Sequence, residues 1–201
     1  MNFVSMLTLG IEPVWIVLGV LAVVTLVVIA WFVGSYNGLV RIRNEVRNQW
    51  SQIDVQLKRR HDLIPNLVNV VKDYMGFEQE TLENVTKARN LAMAASGQGQ
   101  AQQAAAETQL TRALGGLYVV MENYPELKAN KNVSELQEEL TSTENRIAYA
   151  RQFYNDTVMR FDTMREQIPT NIVAGMCGFR QEFQMWKTEE AEKAVPKVSL
   201  R

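Results

Sequence analysis

The sequence has little of the chemistry that most disulfide, metal and catalytic sites need. Among its 201 residues there is one cysteine, Cys177, and one histidine, His61. A single thiol excludes an internal disulfide and any metal site built from several thiolates, so we predict that Cys177 is a small buried apolar group. His61 has no second histidine and no HExxH or ExxH pattern around it. We therefore expect no catalytic residue and no metal ligand in this chain.

Two further absences concern cofactors and nucleic acid. The sequence has no glycine-rich phosphate loop after a strand and no nucleophile elbow, so we expect no cofactor and no enzymatic activity. It also has no excess of charge, with 21 Lys and Arg against 22 Asp and Glu. Binding to nucleic acid by charge needs clustered cations in excess, and we expect no nucleic-acid partner.

One long apolar run is present, VWIVLGVLAVVTLVVIAWFV at residues 14–33. At about 1.5 Å per residue it spans about 30 Å, the thickness of a hydrocarbon core. Trp15 and Trp31 near its ends are placed as indole rings at the two membrane interfaces would be. No Lys or Arg precedes Arg41, and the run is longer than the apolar part of a signal peptide. The sequence predicts a retained transmembrane helix rather than a core helix, with the lipid bilayer as partner.

Basic residues lie on one side of this run. Glu12 precedes it, and Arg41, Arg43 and Arg47 follow it. The positive-inside tendency therefore predicts a short extracytoplasmic N-terminus at residues 1–13 and a helical domain in the cytoplasm. Arg41 and Arg43 are near enough to the span to meet headgroups, so we group them with Trp15 and Trp31 as membrane-interface residues.

The rest of the chain has the three- and four-residue apolar spacing of helices, and no strand pattern competes. It predicts an all-α fold, an antiparallel up-and-down bundle of about four long helices over residues 34–186. The first continues from the anchor to about Tyr74, and the second covers residues 77–95. Residues 96–103 are predicted to be a loop before the third, and Ser134 with Gln137 forms a capping box for the fourth. Residues 187–201 are predicted to be a charged, flexible tail.

The stretch LKRRHDLIPNLV, residues 57–68, interrupts the apolar stripe of the first predicted helix. Arg60 occupies a core position and needs an acceptor, because a buried unpaired guanidinium is very costly. Counting helical levels from the bundle end places Glu144 and Asn145 within reach. We predict an internal polar layer of Arg60 or Arg59 with those two residues. Pro65 is predicted to kink or break the helix and to free the carbonyl of His61.

Five motifs, in order, resemble the LemA family: YNGLVRIRNEV (36–46), DVQLKRRHDLIPNLVNVVKDY (54–74), ENYPELKAN (122–130), LQEELTSTENRIAYARQFYND (136–156) and IPTNIVAGMCGF (168–179). The resemblance covers residues 36–186 and implies a membrane-anchored, all-helical bundle. It brings no established enzymatic activity, cofactor or catalytic residue.

Two functions remain open at this point. The first is a non-enzymatic scaffold at the bacterial inner membrane that assembles into a homo-oligomer through its helical domain. The second is a monomeric adaptor that recruits another membrane or cytoplasmic protein. Phe179, Phe183 and Trp186 continue a helical spacing from Ile172. Exposed on that helix, they would form an interface with a neighbouring copy; plain core packing is the alternative.

Overall fold

The computed structural model describes residues 13–76 and 78–186. The predicted extracytoplasmic N-terminus lies almost wholly outside the described residues, and the predicted tail at 187–201 and the predicted helix start at Phe77 lie outside them entirely.

All regular secondary structure in the described residues is helical, which confirms the all-α prediction. The helices are α1 (Pro13–Lys72), α2 (Gln79–Ala95), α3 (Gln100–Met121), α4 (Pro125–Ala129), α5 (Lys131–Glu166) and α6 (Thr170–Met176). By length and composition, α1 is the one helix in this part of the chain that could cross a membrane.

The chain divides into two compact units. Among the described residues, the first unit, which we name the anchor unit, comprises residues 13–44 and 161–180. The second, the bundle unit, comprises residues 45–76, 78–160 and 181–186.

Four long helical segments form the bundle unit. Gln103 Nε2 donates to Asp54 Oδ1 at 2.8 Å, near the starts of α3 and of the α1 segment in this unit. Asn130 Nδ2, just before α5, donates to Tyr74 Oη at 3.0 Å. Arg160, late in α5, donates to Glu45, which begins the α1 segment of this unit. Helices α1 and α3 therefore run in one direction and α5 in the other, with α2 returning between them.

The apolar stripes meet in one continuous core. Its members are almost fully buried and come from all four long helices: Ile64, Leu67, Val71, Val85, Ala92, Leu110, Leu117 and Leu140 are among them. Each buried Leu, Ile or Val side chain stabilises the fold by about 1.5–3 kcal/mol relative to exposure. Helix formation here follows from this burial more than from intrinsic propensity.

In the anchor unit, the apolar run of α1 is not covered by the other described residues. Its side chains are exposed from Val14 to Val33 with few exceptions, as expected of a segment whose solvent is lipid. Beyond the run, Tyr36 contacts the ring of Phe179 edge to face at 5.7 Å, and the guanidinium of Arg43 lies 5.0 Å above the same ring. Arg43 is thus half-buried on an aromatic face, whereas Arg41 is exposed.

Two predicted helix boundaries are wrong. Helix α3 begins at Gln100, so the predicted loop at 96–103 ends at Gly99, whose φ of 122° favours glycine. Helix α5 begins at Lys131, three residues before the predicted cap. Asn130 Oδ1 accepts from the backbone N–H groups of Asn132 and Val133 at 3.0 and 3.4 Å. Asn130 therefore caps the helix in place of Ser134.

The last segment also differs from its prediction. Helix α6 ends at Met176, Gly178 adopts a φ of 74°, and residues 179–186 are not helical. Phe179, Phe183 and Trp186 are 5%, 8% and 5% exposed. The prediction that they are exposed on a helix is wrong, and the alternative of core packing describes them correctly. Cys177, predicted to be buried, is exposed.

Side chains of α5 hold this non-helical segment in the bundle unit. Asn155 Oδ1 accepts from the Trp186 N–H at 2.7 Å, and Asn155 Nδ2 donates to the Trp186 carbonyl at 3.0 Å. Tyr154 Oη donates to the Gln184 carbonyl at 2.9 Å, and burial raises the pKa of Tyr154 to about 12. The indole of Trp186 packs on Trp50 at 5.6 Å. These contacts satisfy three backbone groups of the segment, namely the Trp186 N–H and the carbonyls of Gln184 and Trp186.

Candidate functional site: a buried charge cluster

The bundle unit contains a charge cluster at the core position that Arg60 occupies on α1. Arg60 is 0% exposed, and so is Glu107 on α3. Leu57 and Ile64, one turn away on either side, are buried apolar residues, so the helical repeat forces the guanidinium into the interior. A buried cation of this kind persists only if anionic acceptors meet it there.

Two carboxylates meet the guanidinium. Arg60 Nη1 donates to Glu144 Oε2 at 2.7 Å and lies 3.0 Å from Glu144 Oε1, while Nη2 donates to Glu107 Oε2. Thr111 Oγ1 accepts from Nη1 at 3.2 Å. Arg60 Nε is buried and has no hydrogen-bond partner in the described part of the chain. One side chain of α1 is thus bonded to both α3 and α5.

Glu107 accepts on its second oxygen from His61. The Nε2 of His61 lies 2.8 Å from Glu107 Oε1, and because a carboxylate only accepts, Nε2 bears the proton. Burial alone raises the pKa of Glu107, but the hydrogen bond from His61 and the charges of Arg60 and His61 outweigh burial and lower it. Glu107 is therefore held as the carboxylate.

The carbonyl that Pro65 frees is also paired. Pro65 has no N–H to donate to the carbonyl of His61, and Arg89 Nε on α2 donates to that oxygen at 2.6 Å. Helix α1 continues through Pro65 to Lys72, so the predicted possibility of a break is wrong. The proline thus creates an acceptor that connects α2 to the same level of the bundle.

A cavity of about 290 Å³ opens beside the cluster. Arg60, Glu144, Tyr118 and Asn145 contribute its polar lining, and Leu114 and Leu140 are among its apolar residues. Burial first, and the charge of Glu144 second, raise the pKa of Tyr118. The phenol therefore stays neutral and lies beside a carboxylate that is partly open to solvent.

The predicted polar residues separate into two groups. The structure brings Arg60 and Glu144 into contact. Arg59 is exposed and faces Glu139 at 3.8 Å, and Asn145 is exposed beside the cavity without a hydrogen bond to the cluster among the described residues. Trp15 and Trp31 are both exposed on α1.

Sequence reasoning missed Glu107, Thr111 and Arg89. Glu107 precedes Leu110 by three residues and so lies on the apolar stripe of α3, as Arg60 does on α1. An acidic residue on one stripe and a basic residue on another is the signal that could have paired them. The prediction of a loop at 96–103 placed Glu107 near the end of a helix, and its position on the apolar stripe was therefore missed.

The cluster connects three helices through ion pairs at one level of the bundle unit: Arg60 on α1 bonds to Glu107 on α3 and to Glu144 on α5. Within residues 13–76 and 78–186, no three His, Cys, Asp or Glu side chains are placed to hold a metal ion.

An apolar N-terminal helix that leads into a helical bundle tied by buried charges defines a class, the membrane-associated helical-bundle proteins. Within that class the model for the LemA family matches residues 49–200. The chain belongs to the LemA family.

Three curated proteins are similar to this chain over most of its length. Protein LemA of Metamycoplasma hominis is 29% identical over 143 residues, 71% of this chain, and the match spans 65% of that protein's length. Magnetosome protein MamQ 2 of Paramagnetospirillum magneticum is 24% identical over 82% of this chain and 69% of its own. Magnetosome protein MamQ of Magnetospirillum gryphiswaldense is 21% identical over 86% of this chain and 72% of its own. None of these names is that of an enzyme, and together they indicate a membrane-associated protein.

Proposed function

We propose that this protein is a non-enzymatic scaffold of the bacterial inner membrane whose helical bundle assembles with further copies of itself. The supporting observation is a pair of aromatic residues on α5. Tyr149 and Phe153 are 64% and 61% exposed, and they lie one turn apart on the same helix face. Exposed aromatic pairs are costly in a monomer and enriched at protein interfaces.

The charges around this pair fit a second copy. Arg146 precedes Tyr149 by three residues and Asp156 follows Phe153 by three, and both are exposed. Two copies of α5 that cross antiparallel near residue 151 would bring the aromatic pairs together. They would also place Arg146 of each copy opposite Asp156 of the other, about 15 Å apart along one helix. Such a surface is self-complementary about a two-fold axis.

The mass of the full-length protein in mild detergent tests the proposal. We expect light scattering to give a homogeneous particle of several copies, and Y149S/F153S to reduce it to a monomer. V119S is the matched control, because Val119 on α3 is 67% exposed and apolar as well. It should leave the mass unchanged.

A charge exchange makes the test specific to α5. D156R alone should weaken assembly because it places like charges opposite each other, and R146D/D156R should restore it. A wild-type protein that is monomeric at all concentrations would contradict the scaffold. The adaptor hypothesis would then lead, with chemical cross-linking as its first experiment.

The bundle is proposed to lie in the cytoplasm, with the N-terminus outside. Arg41 is exposed just beyond the apolar run, and the described residues before the run hold no basic side chain. Trypsin added to intact spheroplasts should therefore leave the bundle uncut, and trypsin added to inverted membrane vesicles should digest it. Digestion in spheroplasts with protection in inverted vesicles would reverse the orientation.

A further inference from the structure

The anchor unit has an exposed apolar surface outside its membrane span. Ile168, Ile172 and Met176 are 78%, 57% and 74% exposed. They follow each other at four-residue intervals, and Ile172 and Met176 share one face of α6. Val173 and Ala174 on the same helix are buried. Helix α6 is therefore apolar on two sides, and among the described residues only one of them packs against other parts of the chain. We call the three exposed residues Ile168, Ile172 and Met176 the α6 patch.

The chain before the α6 patch is fixed close to the end of the apolar run. Met164 packs on Gly38, where an added Cβ would stand 2.6 Å from Met164 Cε. Gly38 follows Val33 by five residues, about 7.5 Å along α1. Helix α5 ends at Glu166, and the patch begins two residues later.

The chain after the patch returns to the same part of α1. Phe179 contacts the ring of Tyr36, which lies about 4.5 Å beyond Val33 along the helix. Both ends of the segment 164–179 are thus attached to α1 within about 8 Å of the run that crosses the bilayer. Ile168 is four residues from Met164 and Met176 is three residues from Phe179, so each lies within about 14 Å of its attachment point on α1.

The charges of this part of the unit suit the same surroundings. In residues 34–44 and 161–180 the sequence has four arginines, Arg41, Arg43, Arg165 and Arg180, against Asp162 and Glu166. Arg165 is paired with both acidic residues, whereas Arg41 and Arg180 are exposed. An apolar face with basic residues around it is the combination that binds at the boundary between headgroups and acyl chains.

We propose that the α6 patch inserts into the surface of the membrane that α1 spans. The inserted groups are Ile168, Ile172 and Met176, and the partner is an anionic lipid surface. This second contact would hold the anchor unit against the bilayer, so that α1 is not its only attachment. The inference rests on the span and not on self-assembly, which uses a different surface.

The native cysteine provides the probe. Cys177 is the only cysteine in the sequence, is exposed and follows Met176 directly. Full-length protein labelled there with an environment-sensitive maleimide dye is reconstituted in vesicles of phosphatidylcholine and phosphatidylglycerol. Protein is kept at about one copy per vesicle. We expect blue-shifted emission, and loss of most of it when the acyl chains are brominated.

Two variants test whether the dye signal comes from the α6 patch or from another part of the chain. I168S/I172S/M176S should return the emission to the red and remove the quenching, while the labelled protein still co-floats with the vesicles through α1. C177S/V119C places the dye on an exposed site of the bundle unit, where we expect no quenching.

Two results would overturn the proposal. Red, unquenched emission from the labelled wild type would show that the patch stays in water. A blue shift that bromolipids do not quench, and that increases when more copies are reconstituted in each vesicle, would show that a second copy covers the patch instead.

Discussion

Replacing Arg60 by alanine is expected to lower the free energy of unfolding by about 3–5 kcal/mol, the cost of removing one partner from a buried ion pair. The variant loses the cation that bonds to Glu107 and Glu144 and leaves Glu107 charged and fully buried. For a chain of this size 1 kcal/mol corresponds to about 2–4 °C in melting temperature. We therefore expect the melting temperature of the full-length protein in detergent, followed by its helical circular-dichroism signal, to fall by at least about 6 °C.

The neighbouring arginine is the control for this experiment. Arg59 is exposed, and its guanidinium lies 3.8 Å from a Glu139 carboxylate that is also exposed. Surface pairs of this kind contribute between about 0 and 1 kcal/mol, so Arg59→Ala should change the melting temperature little. If Arg60→Ala melts like Arg59→Ala but loses assembly or partner binding, the basic stretch is a recognition site and not a structural one.

A double variant distinguishes a lost charge from lost packing. R60M/E107L replaces both fully buried charges with apolar side chains of similar length. Buried ion pairs exchanged in this way are often as stable as the original, so the double variant should recover much of what Arg60→Ala loses. Glu144 can turn to solvent, because its side chain is 40% exposed. A double variant less stable than either single one would show that Arg60 and Glu107 contribute to stability largely independently, through partners other than each other.

The position of Arg60 could be predicted from sequence because helical periodicity is regular. A basic residue where Leu or Ile belongs is visible in the pattern, and counting levels along an antiparallel helix reached Glu144. The same count could not decide between Arg59 and Arg60 or exclude Asn145. Which of two adjacent side chains turns inward depends on the rotation of the helix, and one residue rotates it by about 100°.

Other parts of the fold depend on tertiary contacts that leave a weaker pattern. Gln100 to Gln103 have the composition of a loop, but Gln103 finds an acceptor on Asp54 and the helix begins earlier. Residues 179–186 have helical spacing, yet Gly178 turns the chain and Asn155 pairs the backbone of Trp186. In both places the observed conformation goes with polar contacts to another helix, which the local sequence pattern does not contain.

Glu107→Gln is the second substitution for which we expect a large effect. At neutral pH it should destabilise the protein by about 3 kcal/mol, at the lower end for a broken buried pair. Glu144 still opposes Arg60, and a glutamine oxygen can still accept from His61. Denaturant or thermal unfolding of the full-length protein at pH 7 measures the difference.

The pH dependence of that difference tests the charge of Glu107 directly. Its pKa is lowered from the ordinary value of 4.5, so the unfolded state binds a proton before the folded state does. The stability that the carboxylate contributes is then fully present above about pH 4.5 and is lost as the pH falls through the folded-state pKa. Glutamine does not titrate, so the difference in free energy of unfolding between wild type and variant should become smaller below about pH 4.5.

Glu107 is the titratable group that the substitution removes. Arg60, Glu144 and His61 are present in both proteins, so the comparison reports the loss of the Glu107 carboxyl. If the difference in free energy of unfolding between wild type and Glu107→Gln stays constant from pH 7 to pH 3, Glu107 is not held as a carboxylate by Arg60 and His61. The cluster would then join the helices through neutral hydrogen bonds, and Arg60→Ala would have to act through packing alone.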